Sequence, residues 1–275
     1  MRFAKAYVEI SNICNLSCSF CPGTKRAPKR MTYSEFESVL LKLSGYVEYL
    51  YFHLLGEPLY HPELERFLAA ACERGYKVTL ITNGTLIDKN EKTLLSSDVY
   101  KIVFSLHSFE ANAMTLELEK YLDRVFSFGK SVNGRFITVF RLWNHGGLDL
   151  LNSQIISKLS DYFPEPWQES RTGMKLFEKT FLEFGDKFEW PSLSNSEEQE
   201  DVFCYGLRDQ IGILADGTVV PCCLDNDGSI ALGNIFNESL DAILQTPRAK
   251  SIYNGFSNRH AVEELCRKCS YAKRF

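Results

Sequence analysis

SNICNLSCSFCPG, residues 11–23, carries Cys14, Cys18 and Cys21 in the spacing CxxxCxxC, with Phe20 directly before the last. The stretch follows AKAYVEIS (4–11), which reads as a strand. Three thiolates are one short of a closed four-ligand site. Soft thiolate sets point to zinc or iron-sulfur clusters. A cubane [4Fe-4S] cluster held by three cysteines keeps one iron open to a small molecule that brings its own amine and carboxylate. Zinc needs a fourth ligand, and the nearest histidine, His53, is some 30 positions away at the end of a different strand. Three thiolates would also make zinc a poor Lewis acid. The stretch therefore reads as iron-sulfur.

Working outward, strand and helix signals alternate. Helix 33–45 ends at Gly45, strand 47–58 follows, and helix 61–75 has Pro62 near its start and Gly75 at its end. Strand 76–84, a helix near 88–97, strand 99–108, helix 111–129, strand 134–144, helix 150–163 and a weaker strand over 174–184 complete about six β-α units. This predicts an α/β fold with a parallel sheet. Six units fall short of the eight that close a TIM barrel, so a partial, TIM-like (β/α)6 barrel is expected, with chemistry at the C-terminal strand ends.

From about Phe184 the chain turns polar, a surface connector, and then the cysteines return. CYGLRDQIGILADGTVVPCC (204–223) reads as a β-hairpin turning at Ala215-Asp216-Gly217, followed by a short helix over 238–246 and a terminal ELCRKC. A boundary near 185/186 gives a barrel domain over 1–185 and a small cysteine-rich domain over 186–275. Cys204, Cys222, Cys223, Cys266 and Cys269 fit either a zinc ribbon or a second iron-sulfur site. Only one of the neighbours Cys222 and Cys223 is expected to reach such a site, because adjacent strand residues point to opposite faces. Cys72, on a helix, is expected in the core.

The bulk numbers agree with an ordinary soluble globular protein. The chain has 275 residues, 45% hydrophobic and 24% charged, with a net charge of -4. That charge argues against a broad grip on nucleic acid or anionic membrane. The basic run GTKRAPKR (23–30) reads as a solvated loop, with contact to an acidic partner as the alternative. No signal peptide or membrane-length apolar run is present, so a cytoplasmic location is expected. In a reducing compartment nine cysteines suit metal better than disulfides.

CxxxCxxC with an aromatic before the third cysteine, placed after the first strand of a partial barrel, resembles the radical S-adenosylmethionine (SAM) superfamily. The resemblance implies that Cys14, Cys18 and Cys21 hold a [4Fe-4S] cluster whose open iron takes the SAM amine and carboxylate. Phe20 then lies near the adenine. LLGEP (54–58) is similar to the family's GGE segment, with Leu55 in place of the first glycine, and implicates Gly56 and Glu57. Asn83, Ser105 and Arg141, at later strand ends, are the implied contacts to SAM, Ser105 toward the ribose and Arg141 toward the carboxylate. Ordinary roles stand beside these: a turn at Asn83-Gly84, a polar strand end, a salt-bridge arginine. The C-terminal spacing resembles the SPASM domain in its shortened twitch form, which implies one auxiliary [4Fe-4S] cluster on Cys204, Cys222, Cys266 and Cys269.

Four cysteines fill the auxiliary site, so its job would be moving electrons, which points to an oxidoreductase. Single-auxiliary-cluster relatives include dehydrogenases of small sugar-like alcohols. The first expectation is therefore a radical SAM oxidoreductase served by a flavodoxin- or ferredoxin-type electron donor. A peptide maturase is the second; the start of the chain just before strand one speaks against a built-in recognition domain. A zinc-stabilised binding protein is the third. His53, Glu57, His107, Trp143, Asn144 and Glu183 are candidate pocket residues at strand ends.

Overall fold

The computed structural model describes residues 2–112, 117–132 and 134–274. It resolves into two compact units, one made of residues 1–14, 22–56 and 188–275, the other of 15–21 and 57–187. The 1–185 stretch is thus shared between both units.

The first unit is built on β1 (Lys5–Val8), flanked by two parallel neighbours, β2 (Tyr49–Phe52) and β9 (Gln210–Ile213). The hairpin read around Asp216-Gly217 is present: β10 (Thr218–Val220) runs antiparallel to β9, and the two-residue strand β11 (Gly233–Asn234) extends the edge. Helix α1 (Tyr33–Leu43) starts at a capping box in which Thr32 and Glu35 satisfy each other's backbone donors. It buries Phe36, Val39, Leu40 and Leu43, the apolar stripe that helical spacing dictates. Toward the C-terminus come α6 (Leu240–Leu244), α7 (Pro247–Ser257) and α8 (Glu264–Arg267). The sequence reading passed over α7 and β11. Helix α7 had a readable signal, Thr246 as N-cap with Pro247 at the first position.

The second unit carries the strand order β3-β4-β5-β8-β7-β6. Strands β3 (Lys77–Thr82), β4 (Lys101–Ser105), β5 (Ile137–His145) and β8 (Thr180–Asp186) are parallel. Helices α2 (Leu64–Glu73), α3 (Ile87–Ser96), α4 (Leu118–Ser131) and α5 (Asn152–Tyr162) alternate with them. Part of the helix read over 111–129, residues 113–116, lies outside the described residues. One sheet face packs on helices through an aromatic core, with Phe104, Phe126, Phe128 and Phe140 in ring contact. Each such buried ring contributes on the order of 2–3 kcal/mol.

The strand read over 174–184 is a hairpin. β7 (Gly173–Phe177) turns at Glu178-Lys179 into β8 and pairs it antiparallel, with β6 (Gln168–Ser170) beyond. Periodicity alone merged the two because both arms are apolar-alternating and the turn lacks glycine. Neither strand run closes on itself, so the sheet is open, as expected for a partial barrel. Among the described residues no helix is long and apolar enough to cross a membrane.

Candidate functional site

The cysteine loop leaves β1 and returns to α1 through a tied neck within the first unit. Asn12 donates its side-chain amide to the Ala27 carbonyl at 2.9 Å and accepts from the Lys29 N–H at 2.8 Å, while the Asn12 N–H reaches the Lys29 carbonyl. The Met31 N–H donates to the Ile10 carbonyl. Gly56 presses on the same neck: at φ +76°, a Cβ there would sit 2.1 Å from the Ser11 carbonyl oxygen. Backbone conformation and close approach both require glycine.

The basic run lies at the surface, as a solvated loop would, but it is also anchored. Thr24 Oγ1 and the Lys25 N–H donate to Asp227 Oδ1 at 2.7 and 2.9 Å. Asn226 donates to the Gly23 carbonyl at 2.7 Å and accepts from Arg26 Nε through its own carbonyl at 2.9 Å. Arg26 also pairs with the fully buried Glu9 carboxylate at 2.8 Å. Burial pushes Glu9 up, against the pull of Arg26 and the Ala215 N–H. Within the chain the run's acidic contacts are Asp227, just past the paired cysteines, and Glu9. Nothing local marks Asn226 and Asp227, about 200 positions distant, or Glu9, 17 positions before Arg26 and just past β1, as complements of this run.

In the second unit Cys18 is the half-buried member of the loop's set. Its sulfur accepts from Asn112 Nδ2 at 3.1 Å, and burial raises its thiol. Phe20, 38% exposed, packs on the His107 ring at 5.1 Å. His107 caps β4 in a 3-10 turn, its Nδ1 lying 3.1 Å from the Arg141 carbonyl, to which the Nδ1-protonated tautomer donates. Burial depresses this imidazole to about 4. Cys14 and Cys21 are exposed, and all nine cysteines are free thiols.

Glu57 and Asn83 form one buried network. The Glu57 carboxylate accepts from the Leu59 N–H, Thr82 Oγ1 and the Asn83 N–H at 2.9, 2.7 and 2.8 Å, and burial lifts it to about 7. Asn83 donates to Asn15 at 3.0 Å, and its carbonyl accepts from the Tyr121 hydroxyl at 2.7 Å. Both side chains are thus engaged in holding strand ends together and fixing Asn15 of the loop.

Ser105 ends β4 in register with Arg141. Arg141 bonds Glu183 through Nε and Nη2 at 3.3 and 3.2 Å, and its guanidinium stacks on Trp143 at 4.1 Å. A Cβ at Gly185 would lie 2.7 Å from the Trp143 ring, so the missing side chain makes room for the stack. Of the other pocket candidates, buried Asn144 turns to Leu148 and Asn152, and His53 sits beside Tyr7 in the first unit. Cys72 is half-buried, its thiol 3.5 Å from the Asp98 carbonyl, rather than in the core.

The C-terminal thiols belong wholly to the first unit. Cys222 interacts electrostatically with Cys223, Cys204 and Cys266, and Cys266 with Cys204 and Cys269. Burial raises every one of them, Cys204 to about 11, and neighbouring cysteines add to the rise at Cys204, Cys222, Cys223 and Cys266. Cys223 shares in these interactions, with Cys204, Cys222 and Cys269, and in addition packs against the apolar cluster of Tyr7, Leu54, Leu214 and Val220, its sulfur bonding the Tyr7 hydroxyl. Among the described residues no three Cys, His, Asp or Glu groups are arranged to hold one metal ion. The donor set nonetheless fits a cluster. Desolvated thiols that repel one another as thiolates gain most when iron takes over their protons' role. On the loop, an amide N–H aimed at Cys18 complements a thiolate better than a thiol.

Comparison with known proteins bears on the same segments. Residues 8–138 match the Radical SAM superfamily, and residues 204–270 match SPASM, an iron-sulfur cluster-binding domain. The chain is 22% identical to the antilisterial bacteriocin subtilosin biosynthesis protein AlbA of Bacillus subtilis, over 97% of the chain and 65% of that protein. It is 31% identical to the tungsten-containing aldehyde ferredoxin oxidoreductase cofactor-modifying protein of Pyrococcus furiosus, over 36% of the chain and 30% of that protein. The chain spans less than two thirds of the length of these curated relatives. Its fold is shared with BtrN in complex with AdoMet and 2-DOIA (TM-score 0.62, 17% identity, 98% of this chain and 94% of that one). It is shared too with Streptococcus suis SuiB bound to precursor peptide SuiA (0.61, 18%, 99% and 72%). The two domain matches imply [4Fe-4S] clusters, and structural neighbours bind AdoMet. An open parallel sheet, a three-cysteine loop after its first strand and a cysteine-rich C-terminal hairpin thus converge with both matches: the chain belongs to the radical SAM superfamily, as a member of the SPASM-bearing type.

Proposed function

We propose that this radical SAM enzyme oxidatively modifies a peptide, with Cys14, Cys18 and Cys21 holding the SAM-binding cluster and Cys204, Cys222, Cys266 and Cys269 one auxiliary cluster. The observation that carries the reading is the second thiol group: half-buried cysteines that interact electrostatically with one another and take no part in the loop. When bound, the loop's cluster supplies one electron that cleaves SAM to methionine and a 5'-deoxyadenosyl radical able to abstract a substrate hydrogen.

The chain's own residues bind and orient. The exposed Phe20 ring, backed by His107, offers a face for the adenine. Gly56 contributes a backbone carbonyl for the SAM amine, whereas the Glu57 carbonyl already accepts from the Tyr60 N–H. Asn83 and Ser105 define the strand ends beside the nucleoside. Arg141 serves the SAM carboxylate by exchanging Glu183 for it, a swap between like acceptors.

Peptide substrates are favoured by the company the chain keeps: a bacteriocin biosynthesis protein, SuiB with its precursor peptide, and anSMEcpe with bound AdoMet and a Cp18Cys peptide. BtrN with 2-DOIA favours a second reading, a dehydrogenase of a small molecule, because that fold is matched almost end to end. A flavodoxin- or ferredoxin-type donor and a cytoplasmic setting complete the proposal, as do a barrel region over 1–185 and an auxiliary region over 186–275. Anaerobic incubation of reconstituted enzyme with SAM, reductant and short cysteine-containing peptides tests it. The expected result is peptide-stimulated 5'-deoxyadenosine and a product lighter by two hydrogens; stimulation by polyols and not by peptides would transfer the assignment to the second reading.

A further inference from the structure

Asn112 was invisible in the sequence, yet it uses all of its side-chain polar capacity on one task. Its Oδ1 accepts the Ser17 N–H at 2.9 Å, while Nδ2 donates to Cys18 Sγ at 3.1 Å and to the Ser108 carbonyl at 2.6 Å. One residue earlier, the Ala111 carbonyl accepts the Ser19 N–H at 3.0 Å. Residues 111–112 therefore grip the loop on both sides of Cys18 and touch its sulfur in the middle. An N–H donor to a ligating sulfur draws density from it and favours the more electron-rich state of the attached cluster.

We propose that Asn112 is a positioning residue for Cys18 that also sets how readily the loop's cluster accepts an electron. The amide works in two separable ways. Its oxygen fixes the backbone at Ser17, and so the direction from which Cys18 reaches iron. Its N–H spreads thiolate charge onto the Ser108–Asn112 turn, so the added electron costs less. The effect falls on one ligand of the three, making the cluster's sulfur shell asymmetric.

The inference rests on Cys14, Cys18 and Cys21 holding the cluster, and a Cys14→Ala/Cys18→Ala/Cys21→Ala variant provides the control. If that variant keeps the wild-type iron content, the ligand assignment falls and Asn112 is not the cause. With the assignment intact, spectra of the full-length protein minus those of the control isolate the loop's cluster. Asn112→Asp retains the acceptor for Ser17 and removes the donor to sulfur; Asn112→Leu removes both; Asn112→Gln keeps the amide on a longer arm. At fixed ambient potential the ratio of reduced to oxidised cluster should fall roughly tenfold in Asn112→Asp, the scale of one charge-assisted hydrogen bond changed by a single electron. Its Fe–S(Cys) vibrational bands should move to higher frequency, and Asn112→Gln should restore part of both. If Asn112→Leu fails to load iron while Asn112→Gln loads, the positioning half stands by itself. Asn112→Asp with wild-type potential and wild-type Fe–S frequencies would overturn the proposal, as would equal failure of all three variants to load.

Discussion

The two thiol groups of this chain are opposites in how they are held. In the N-terminal loop Cys14 and Cys21 are exposed, and order comes from the backbone: the Asn12 neck, the 226–227 anchor and the Asn112 grip. In the C-terminal group the thiols are desolvated, neighbouring cysteines raise Cys204, Cys222 and Cys266 further, and short-range backbone N–H groups such as that of Gly206 reach the sulfurs. The loop is tied at its neck and around Cys18 and leaves two of its thiols open to solvent. The C-terminal group is a half-buried knot of desolvated thiols, so ligation there is expected to couple to folding.

The largest expected effect breaks the symmetry between them. Alanine at Cys14, Cys18 and Cys21 together should abolish 5'-deoxyadenosine formation and remove about four iron per chain, the content of one cubane, with little change in melting temperature. Alanine at Cys204, Cys222, Cys266 and Cys269 should remove a similar amount of iron and also destabilise the fold, because ligation is coupled to folding there. Iron analysis combined with calorimetry checks both. Equal thermal effects would erase the distinction drawn between loop and knot.

Gly56 tests the loop from beneath. Gly56→Ala forces a Cβ against the Ser11 carbonyl at a backbone angle that alanine disfavours. The combined strain is about 3 kcal/mol, or a melting temperature lower by roughly 8 °C. Iron at the loop should fall with it while the C-terminal group keeps its own.

How much of this was readable follows the range of the interactions. The three-cysteine loop, the parallel alternation and the Asp216-Gly217 hairpin are written in local spacing and turn chemistry, and they are all present. The 174–184 hairpin was merged into one strand because its turn carries no local marker. Asn112 and the Glu9–Arg26–Asn226 assembly depend on residues that meet only after folding, so no window of sequence displays them. Arg141 has two readings in the sequence, a salt-bridge arginine and a SAM contact, and its side chain pairs with Glu183.

Acid sharpens the contrast by acting on groups behind the loop. His107 is depressed to about 4 by burial, so the unfolded state, with its ordinary value of 6.5, takes up the proton first. Its contribution is complete above pH 6.5 and is lost as pH falls from 6.5 to 4, reaching about 3 kcal/mol. Glu57, raised to about 7, has the opposite sign: its contribution is complete below pH 4.5 and is lost as pH climbs to 7. Across pH 4.5–6.5 the two slopes oppose each other. His107→Gln should therefore lose stability toward neutral pH relative to wild type, and Glu57→Gln toward acid. Denaturant midpoints at pH 5 and 7 read the signs directly, and parallel curves for all three proteins would show that neither group titrates within the fold.

The smallest effect decides which of two neighbouring cysteines belongs to the knot. Tyr7 reaches Cys223 from β1, and Cys223 lies on the apolar Tyr7–Leu54–Leu214–Val220 cluster, whereas Cys222 interacts with Cys204 and Cys266. Cys223 also interacts with Cys204, Cys222 and Cys269, so the tyrosine hydroxyl is what sets it apart from Cys222. Tyr7→Phe removes only that hydrogen bond and should cost about 1 kcal/mol with unchanged iron. Cys223→Ala should behave alike, and Cys222→Ala should lose the C-terminal cluster. If the losses are exchanged, iron leaving with Cys223 and staying without Cys222, then Tyr7 hydrogen-bonds a ligand, and β1 would touch both thiol groups: one through the loop it feeds, the other through its own side chain.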